Sequence, residues 1–284
     1  MQPVRHFLLA LQFFTRIPVT GALARWVGYS PAMLRASAAH FPGVGWIVGG
    51  VAAAVYGLLC WHLPPVAGIT WVAAVFSTIV TVLLTGGFHE DGLADVADGL
   101  GGSQQRERVL EIMKDSRIGA FGAMALVLAL LAKVALLAVL GQMSLAGALL
   151  AIGLAHVASR TWPLLTIRWL PHVGDAAGSK SKPLADQISP RALMAGALWC
   201  GLAVLVALAW AHTLPLPWLG GLQSGERTAT VLLWGLLGSA LGWVVVHWRL
   251  KQRLQGFTGD GLGAVQQVSE IGFYLAVALA MGAR

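Results

Sequence analysis

The sequence predicts an all-α integral membrane protein: a polytopic helical bundle of about seven transmembrane helices, with an N-terminal amphipathic helix on the cytoplasmic face. Three observations lead there. Hydrophobic residues make up 57% of the chain and charged ones 11%, against roughly a quarter charged in soluble domains. Several apolar runs approach the about 20 residues that a helix needs to span a bilayer. Those runs are continuous in Leu, Ala and Val rather than alternating, which excludes a β-barrel, the other structure that satisfies every backbone group in lipid. No soluble domain, low-complexity tract or internal repeat interrupts the pattern, so residues 1–284 read as a single polytopic membrane domain.

The elements follow in order. Phe7 to Phe14 is apolar but short, Arg5, Gln12 and Arg16 interleave it, and no cleavage site follows. It reads as a helix on the membrane surface rather than a signal peptide. Runs of membrane length then occupy approximately 44–62, 67–88, 119–140, 146–167, 192–211, 229–248 and 264–282. Cys60 and Cys200 fall in or at the ends of different runs without metal-ligand spacing, and read as small core residues.

The net charge of +7 is distributed by topology. Arg5, Arg16, Arg25 and Arg35 precede the first span; Arg106, Arg108, Lys114 and Arg117 fill the second loop; Arg168, Lys180, Lys182 and Arg191 the fourth; Arg249, Lys251 and Arg253 the sixth. By the positive-inside rule these segments face the cytoplasm and the C-terminus lies across the membrane. The basic surplus is thereby accounted for, and the expected partner is the lipid bilayer, not nucleic acid.

Seven of the twelve carboxylates crowd between Thr85 and Gly122. If the second span continues as helix, Asp91, Asp95 and Asp98 fall at i, i+4 and i+7 on one face. Three acids on one face repel one another unless a cation neutralises them, and all-oxygen ligands favour a hard ion such as Mg²⁺. His89 lies off this arc, against a zinc site. After Gly99, Gly101 and Gly102, Ser103 is the expected N-cap of a second helix carrying Glu107, Glu111 and Asp115 every four residues. Two antiparallel acid-bearing helices would then face each other at the membrane surface. For Glu107 and Glu111 the plain alternative is pairing with nearby arginines on an exposed helix. Metal held by several carboxylates keeps positions open for substrate phosphates, which points to phosphoryl or nucleotidyl-type transfer.

The last span opens on Gly256-Phe257-Thr258-Gly259-Asp260-Gly261-Leu262-Gly263. Such a glycine turn can cradle phosphate at a helix start, with Gly259 a candidate contact, or can be a plain loop. Asp260, Gln267 and Glu270 lie toward one side of the following helix and, with Gly259, are candidate substrate- or phosphate-binding residues. Arg160 and Lys133 sit inside apparent spans, where cations face the interior and a partner; Arg160 is a candidate anion ligand, and Lys133 can equally snorkel or serve as a structural ion partner.

Taken together, His89-Glu90-Asp91-Gly92-Leu93-Ala94-Asp95-Val96-Ala97-Asp98-Gly99, Ile112-Met113-Lys114-Asp115-Ser116-Arg117-Ile118-Gly119-Ala120-Phe121-Gly122 and Thr258-Gly259-Asp260-Gly261-Leu262-Gly263-Ala264 with Gln266, Gln267 and Glu270 are specific. With Gln12-Phe13-Phe14-Thr15-Arg16-Ile17-Pro18 and Phe41-Pro42-Gly43-Val44-Gly45, they span nearly the whole chain. The chain resembles the adenosylcobinamide-GDP ribazoletransferases, or cobalamin synthases. The resemblance implies a Mg²⁺-dependent enzyme of the bacterial or archaeal cytoplasmic membrane. It would join adenosylcobinamide-GDP and α-ribazole, or its 5′-phosphate, to give adenosylcobalamin or its phosphate, with release of GMP. Asp95-Val96-Ala97-Asp98-Gly99 is also similar to the Asp-x-x-Asp-Gly opening of the CDP-alcohol phosphotransferases, although Gly102 departs from that group's continuation.

On this resemblance Asp91, Asp95, Asp98 and Asp115 would hold one or two Mg²⁺, and Asp115 would be the first choice of general base. Lys114, Arg117 and Arg160 would bind phosphate oxygens. His89 would orient an acid, act as base, or be an interfacial helix residue. Oligomers or other corrinoid enzymes are conceivable partners. The competing expectation is an ion-coupled transporter using the aspartates as a cation site, although transporter sites tend to lie at the bilayer midplane rather than in an edge loop.

Overall fold

The computed structural model describes residues 1–174, 188–213 and 225–283; Lys180 and Lys182 of the fourth loop lie outside them. Among the described residues the fold is built from helices and the turns between them. Three helices lead in: α1 (Gln2–Phe14), α2 (Gly21–Val27) and α3 (Pro31–Ser37), the last capped by the Ser30 hydroxyl, which accepts from the Met33 amide at 3.1 Å. A 3₁₀ turn joins α3 to α4 (Phe41–His62). Then follow α5 (Ile69–Thr85), α6 (Phe88–Gly102), α7 (Arg106–Ile112), α8 (Ala120–Met143), α9 (Leu145–Ser159), α10 (Trp162–Trp169), α11 (Pro190–Thr213), α12 (Gly225–Leu254) and α13 (Gly259–Gly282).

Among the described residues, six helical stretches are long and apolar enough to cross a bilayer, and a seventh is reached if the bent pair of α5 and α6 counts as one span. The polytopic bundle is as expected, but the second span ends earlier than 88. Gly86 and Gly87 both adopt φ of +69°, open to glycine at little cost. Two left-handed residues in succession end α5 and restart the chain as α6 at 89° to it. We read the 17-residue α5 as the span and α6 as lying across the bundle's end.

Small residues let the helices approach. A Cβ on Gly49 of α4 would sit 3.0 Å from the Gly153 carbonyl of α9, and one on Gly242 of α12 2.6 Å from the Val268 carbonyl of α13. This is the packing expected where lipid gives no hydrophobic drive between helices. Large apolar side chains such as Phe76, Leu128, Leu198 and Leu241 point outward. On α5, Thr78 and Thr85 return their hydroxyls to the Ala74 and Thr81 carbonyls at 2.8 and 2.9 Å, which satisfies these two buried hydroxyls within the helix.

The N-terminal helix exists as expected, and its apolar face is spent on protein: Leu9, Ala10, Leu11 and Phe14 are buried. It leads into Arg16, whose amide donates to the Leu84 carbonyl at 2.7 Å. The α1 strap is thus tied to the corner between α5 and α6.

Candidate active site

The site is built where α6 meets the start of α13. Glycines set the distance: a Cβ on Gly92 would fall 2.7 Å from the Asp260 carbonyl, and one on Gly263 3.2 Å from that of His89. Thr258 caps α13 by accepting from the Gly261 amide at 3.1 Å, which fixes Asp260 in the first turn. Asp260 therefore stands beside Asp91 and Asp95 although far from both in sequence. Burial, then the charges of Asp260, Asp91 and Asp98, push the Asp95 carboxyl up to about 7. Every charge acting on it is a carboxylate.

Asp98, the third acid of the expected face, is otherwise engaged. Its two oxygens accept from the Gly119 amide at 2.7 Å and the Gly122 amide at 2.8 Å, so it caps α8 from a distance. The expected pairing of two acid-bearing helices is not what the structure shows. Gly99 of α6 packs on Val109 of α7 and on Met113 just after it, while Glu107 and Glu111 face outward. The apolar stripe of α7 took the interface, leaving these acids to Arg106 at 3.7 Å and Arg108 at 2.8 Å. Ser103 is not the N-cap of α7 but the residue that ends α6; its hydroxyl accepts from the Gln105 amide at 3.1 Å, and α7 begins later, at Arg106. Asp115 is joined to Arg117, with Oδ1 accepting from its amide and Nε at 3.1 and 3.0 Å and Oδ2 from Nη2 at 2.6 Å. These bonds hold its carboxyl down at about 2. Lys114 is exposed beside it.

Beneath the acids runs a buried polar network. Glu90 accepts from Gln267 Nε2 at 3.0 Å, which also reaches Gln266 Oε1 at 3.0 Å. Gln266 Nε2 donates to Ser159 Oγ at 3.0 Å and Glu270 Oε2 at 2.6 Å. Glu270 Oε1 meets Lys133 Nζ at 2.7 Å and accepts from the Tyr274 hydroxyl at 3.1 Å. Lys133 is thus an ion partner, one of the roles open to it from sequence. Gln267 and Glu270, expected near phosphate, sit inside this network. Arg160 donates to the His156 carbonyl at 3.0 Å and to its Nδ1 at 3.1 Å. A guanidinium only donates, so Nδ1 is the acceptor, and its 3.5 Å approach to Glu270 is no hydrogen bond.

Above Arg160 lies a cleft lined by Phe13 and Phe14 of α1, Phe41 of α4, and Phe88 and His89 of α6, closed by Gly259 and Gly263. His89 is buried and lies nearly parallel to Phe14, ring centroids 6.4 Å apart. The cleft holds about 30 Å³, room for a water molecule or two. Sequence reasoning left Glu90 and Gln266 out of the site. Their signal was polarity at helical spacing: Gln266 and Glu270 are i and i+4 in an otherwise apolar span.

Among the described residues, no three of His, Cys, Asp or Glu are grouped closely enough to hold a metal by themselves. Mg²⁺ usually takes one or two carboxylates and completes its shell with water and substrate phosphates. The crowded, all-oxygen set of Asp91, Asp95 and Asp260 fits that kind of ion.

Relatives in other organisms extend the picture. Adenosylcobinamide-GDP ribazoletransferase of Albidiferax ferrireducens is 58% identical over 280 residues, covering 99% of each chain. The proteins of the same name from Polaromonas sp. and Polaromonas naphthalenivorans are 57% and 56% identical, over 99% of this chain and 98% and 100% of theirs. No solved structure matches the fold. The family model described as cobalamin-5-phosphate synthase matches residues 6–278, and the chain belongs to that family.

Proposed function

We infer that this chain joins adenosylcobinamide-GDP to α-ribazole or its 5′-phosphate, giving adenosylcobalamin or its 5′-phosphate and releasing GMP. Its full-length kinship to ribazoletransferases supports the substrates. The observation that carries the chemistry is the convergence of Asp91, Asp95 and Asp260 from two helices on one end of the bundle.

In this reading Asp91, Asp95 and Asp260 would supply one or two carboxylate ligands to a Mg²⁺ whose remaining positions water and substrate phosphates would fill, and the ion would offset charge on the pyrophosphate. A ribose hydroxyl attacks the corrinoid-linked phosphorus, the phosphorus–oxygen bond to GMP breaks, and a carboxylate of the same face takes the hydroxyl proton. Arg117 and Lys114 reach phosphate oxygens from the loop before α8, with Asp115 orienting the Arg117 fork. Asp98 fixes that loop by holding the amides of Gly119 and Gly122. We place the acids on the cytoplasmic side of a bacterial inner membrane, where nucleotides are and where the positive-inside rule puts the neighbouring loops.

The test is GMP release by purified protein from the two substrates across a Mg²⁺ titration. Asp95→Asn is expected to need at least about tenfold more Mg²⁺. Full activity of that variant at limiting Mg²⁺ would sink the metal assignment. A transporter would release no GMP.

A further inference from the structure

The cleft beside the acids has a chemical character of its own. Four phenylalanine rings and His89 make it apolar and flat-walled, with Phe14 against Phe41 at 4.0 Å between centroids and Phe13 against Phe88 at 5.9 Å. Arg160 is its charged member, only 5% exposed, and its Nε–H has no hydrogen-bond partner. A buried donor left unpaired forfeits the hydrogen bond it had with water, so an acceptor belongs there. That acceptor need not be an anion. The buried cations Arg160 and Lys133 are already matched by the buried carboxylates Glu90 and Glu270.

The two substrates offer different aromatic bases. Guanine carries several N–H donors beside its acceptors, whereas the cleft wall is mainly aromatic and its Gln266 amide is tied on both sides into the buried network. Ribazole's base is a benzimidazole: bicyclic, largely apolar, without an N–H donor once attached to ribose, and with one free ring nitrogen that accepts. We propose, on the strength of the ribazoletransferase reading, that this cleft binds the benzimidazole base of ribazole, its free nitrogen accepting from Arg160 Nε. The position suits the reaction. Gly259 of the cleft adjoins Asp260, and His89 is two residues before Asp91, so a base seated here leaves its ribose at the carboxylates. At about 30 Å³ the cleft admits the base only as the edge-on rings of Phe13 and Phe14 part.

The experiment uses full-length protein in nanodiscs, with α-ribazole and adenosylcobinamide-GDP varied separately and GMP followed. Phe14→Leu and the more exposed Phe88→Leu are expected to raise the KM for α-ribazole about tenfold and leave that for adenosylcobinamide-GDP within about twofold. A rise confined to adenosylcobinamide-GDP would put guanine in the cleft and overturn the proposal, as would no change in either KM. For Arg160 the probe is the indole riboside, in which C–H replaces the acceptor nitrogen. Wild type should favour the benzimidazole riboside about tenfold, and Arg160→Lys should narrow that preference to within about twofold. Equal use of both ribosides by wild type would also overturn it. Wild type that releases no GMP defeats the ribazoletransferase reading itself. Equilibrium dialysis of α-ribazole then decides the cleft separately: binding weakened by Phe14→Leu supports it, and binding that is absent or unchanged removes it.

Discussion

Lys133 of α8 and Glu270 of α13 meet at 2.7 Å inside the bundle, their side chains 3% and 1% exposed. Each is an ion that lipid-buried helices cannot leave alone, so each fixes the other's helix. Replacing one strands the other. Lys133→Met or Glu270→Leu alone is expected to cost about 3–5 kcal/mol, and the double variant much less than the sum. Thermal unfolding in detergent checks this; additive losses would show that the pair is not coupled.

Asp98 gives both oxygens to the first turn of α8. Asp98→Ala should cost about 1–2 kcal/mol of stability, as losing a helix cap does. Its Mg²⁺ requirement in the GMP assay should shift less than that of Asp95→Asn. A shift as large as the Asp95 variant's would return Asp98 to the metal.

Gly92 has no room to grow. Alanine there would bring its Cβ to 2.7 Å from the Asp260 carbonyl, a backbone atom that cannot swing away. Gly92→Ala should therefore part α6 from α13, costing about 1–3 kcal/mol and more activity than that loss of stability explains. Assaying residual turnover well below the variant's melting point separates the two.

Asp95 carries a pH signature. Its carboxyl rises from an ordinary 3.8 to about 7 on folding. A raised pKa means the folded protein holds the proton more tightly. That contribution is full below about 3.8 and is lost as pH rises through about 7. Metal-free protein should lose melting temperature across this window, and Asp95→Asn should lose less. Parallel pH profiles for the two proteins would contradict the coupling.

The transmembrane pattern and the acidic face of α6 were legible because both are periodicities, and a helix prints its period on the chain. Asp91, Asp95 and Asp98 do share one helix. What periodicity cannot carry is which helix comes to meet them. The pairing of Asp260 with Asp91 and Asp95 depends on Gly92 and Gly263, whose missing side chains let two backbones touch. The capping by Asp98 joins α6 to the loop before α8, a relation between elements that no local pattern holds. The turn at Gly86 and Gly87 was invisible for another reason: glycine permits a left-handed backbone without requiring it. Glu107 and Glu111 show the converse, a clear spacing that amounted to ordinary surface pairing with arginine.

The bend at Gly86–Gly87 lets adjoining stretches of chain serve two environments. α5 turns Phe76 and Leu83 outward as a lipid-facing span does, whereas α6, set at 89° to it, carries Glu90, Asp91, Asp95 and Asp98. A straight continuation of the span would have drawn those carboxylates along the bilayer normal, where unpaired acids are costly. Two consecutive glycines thus do the work of a linker: an apolar span passes directly into an acid-bearing helix, and neither compromises the other.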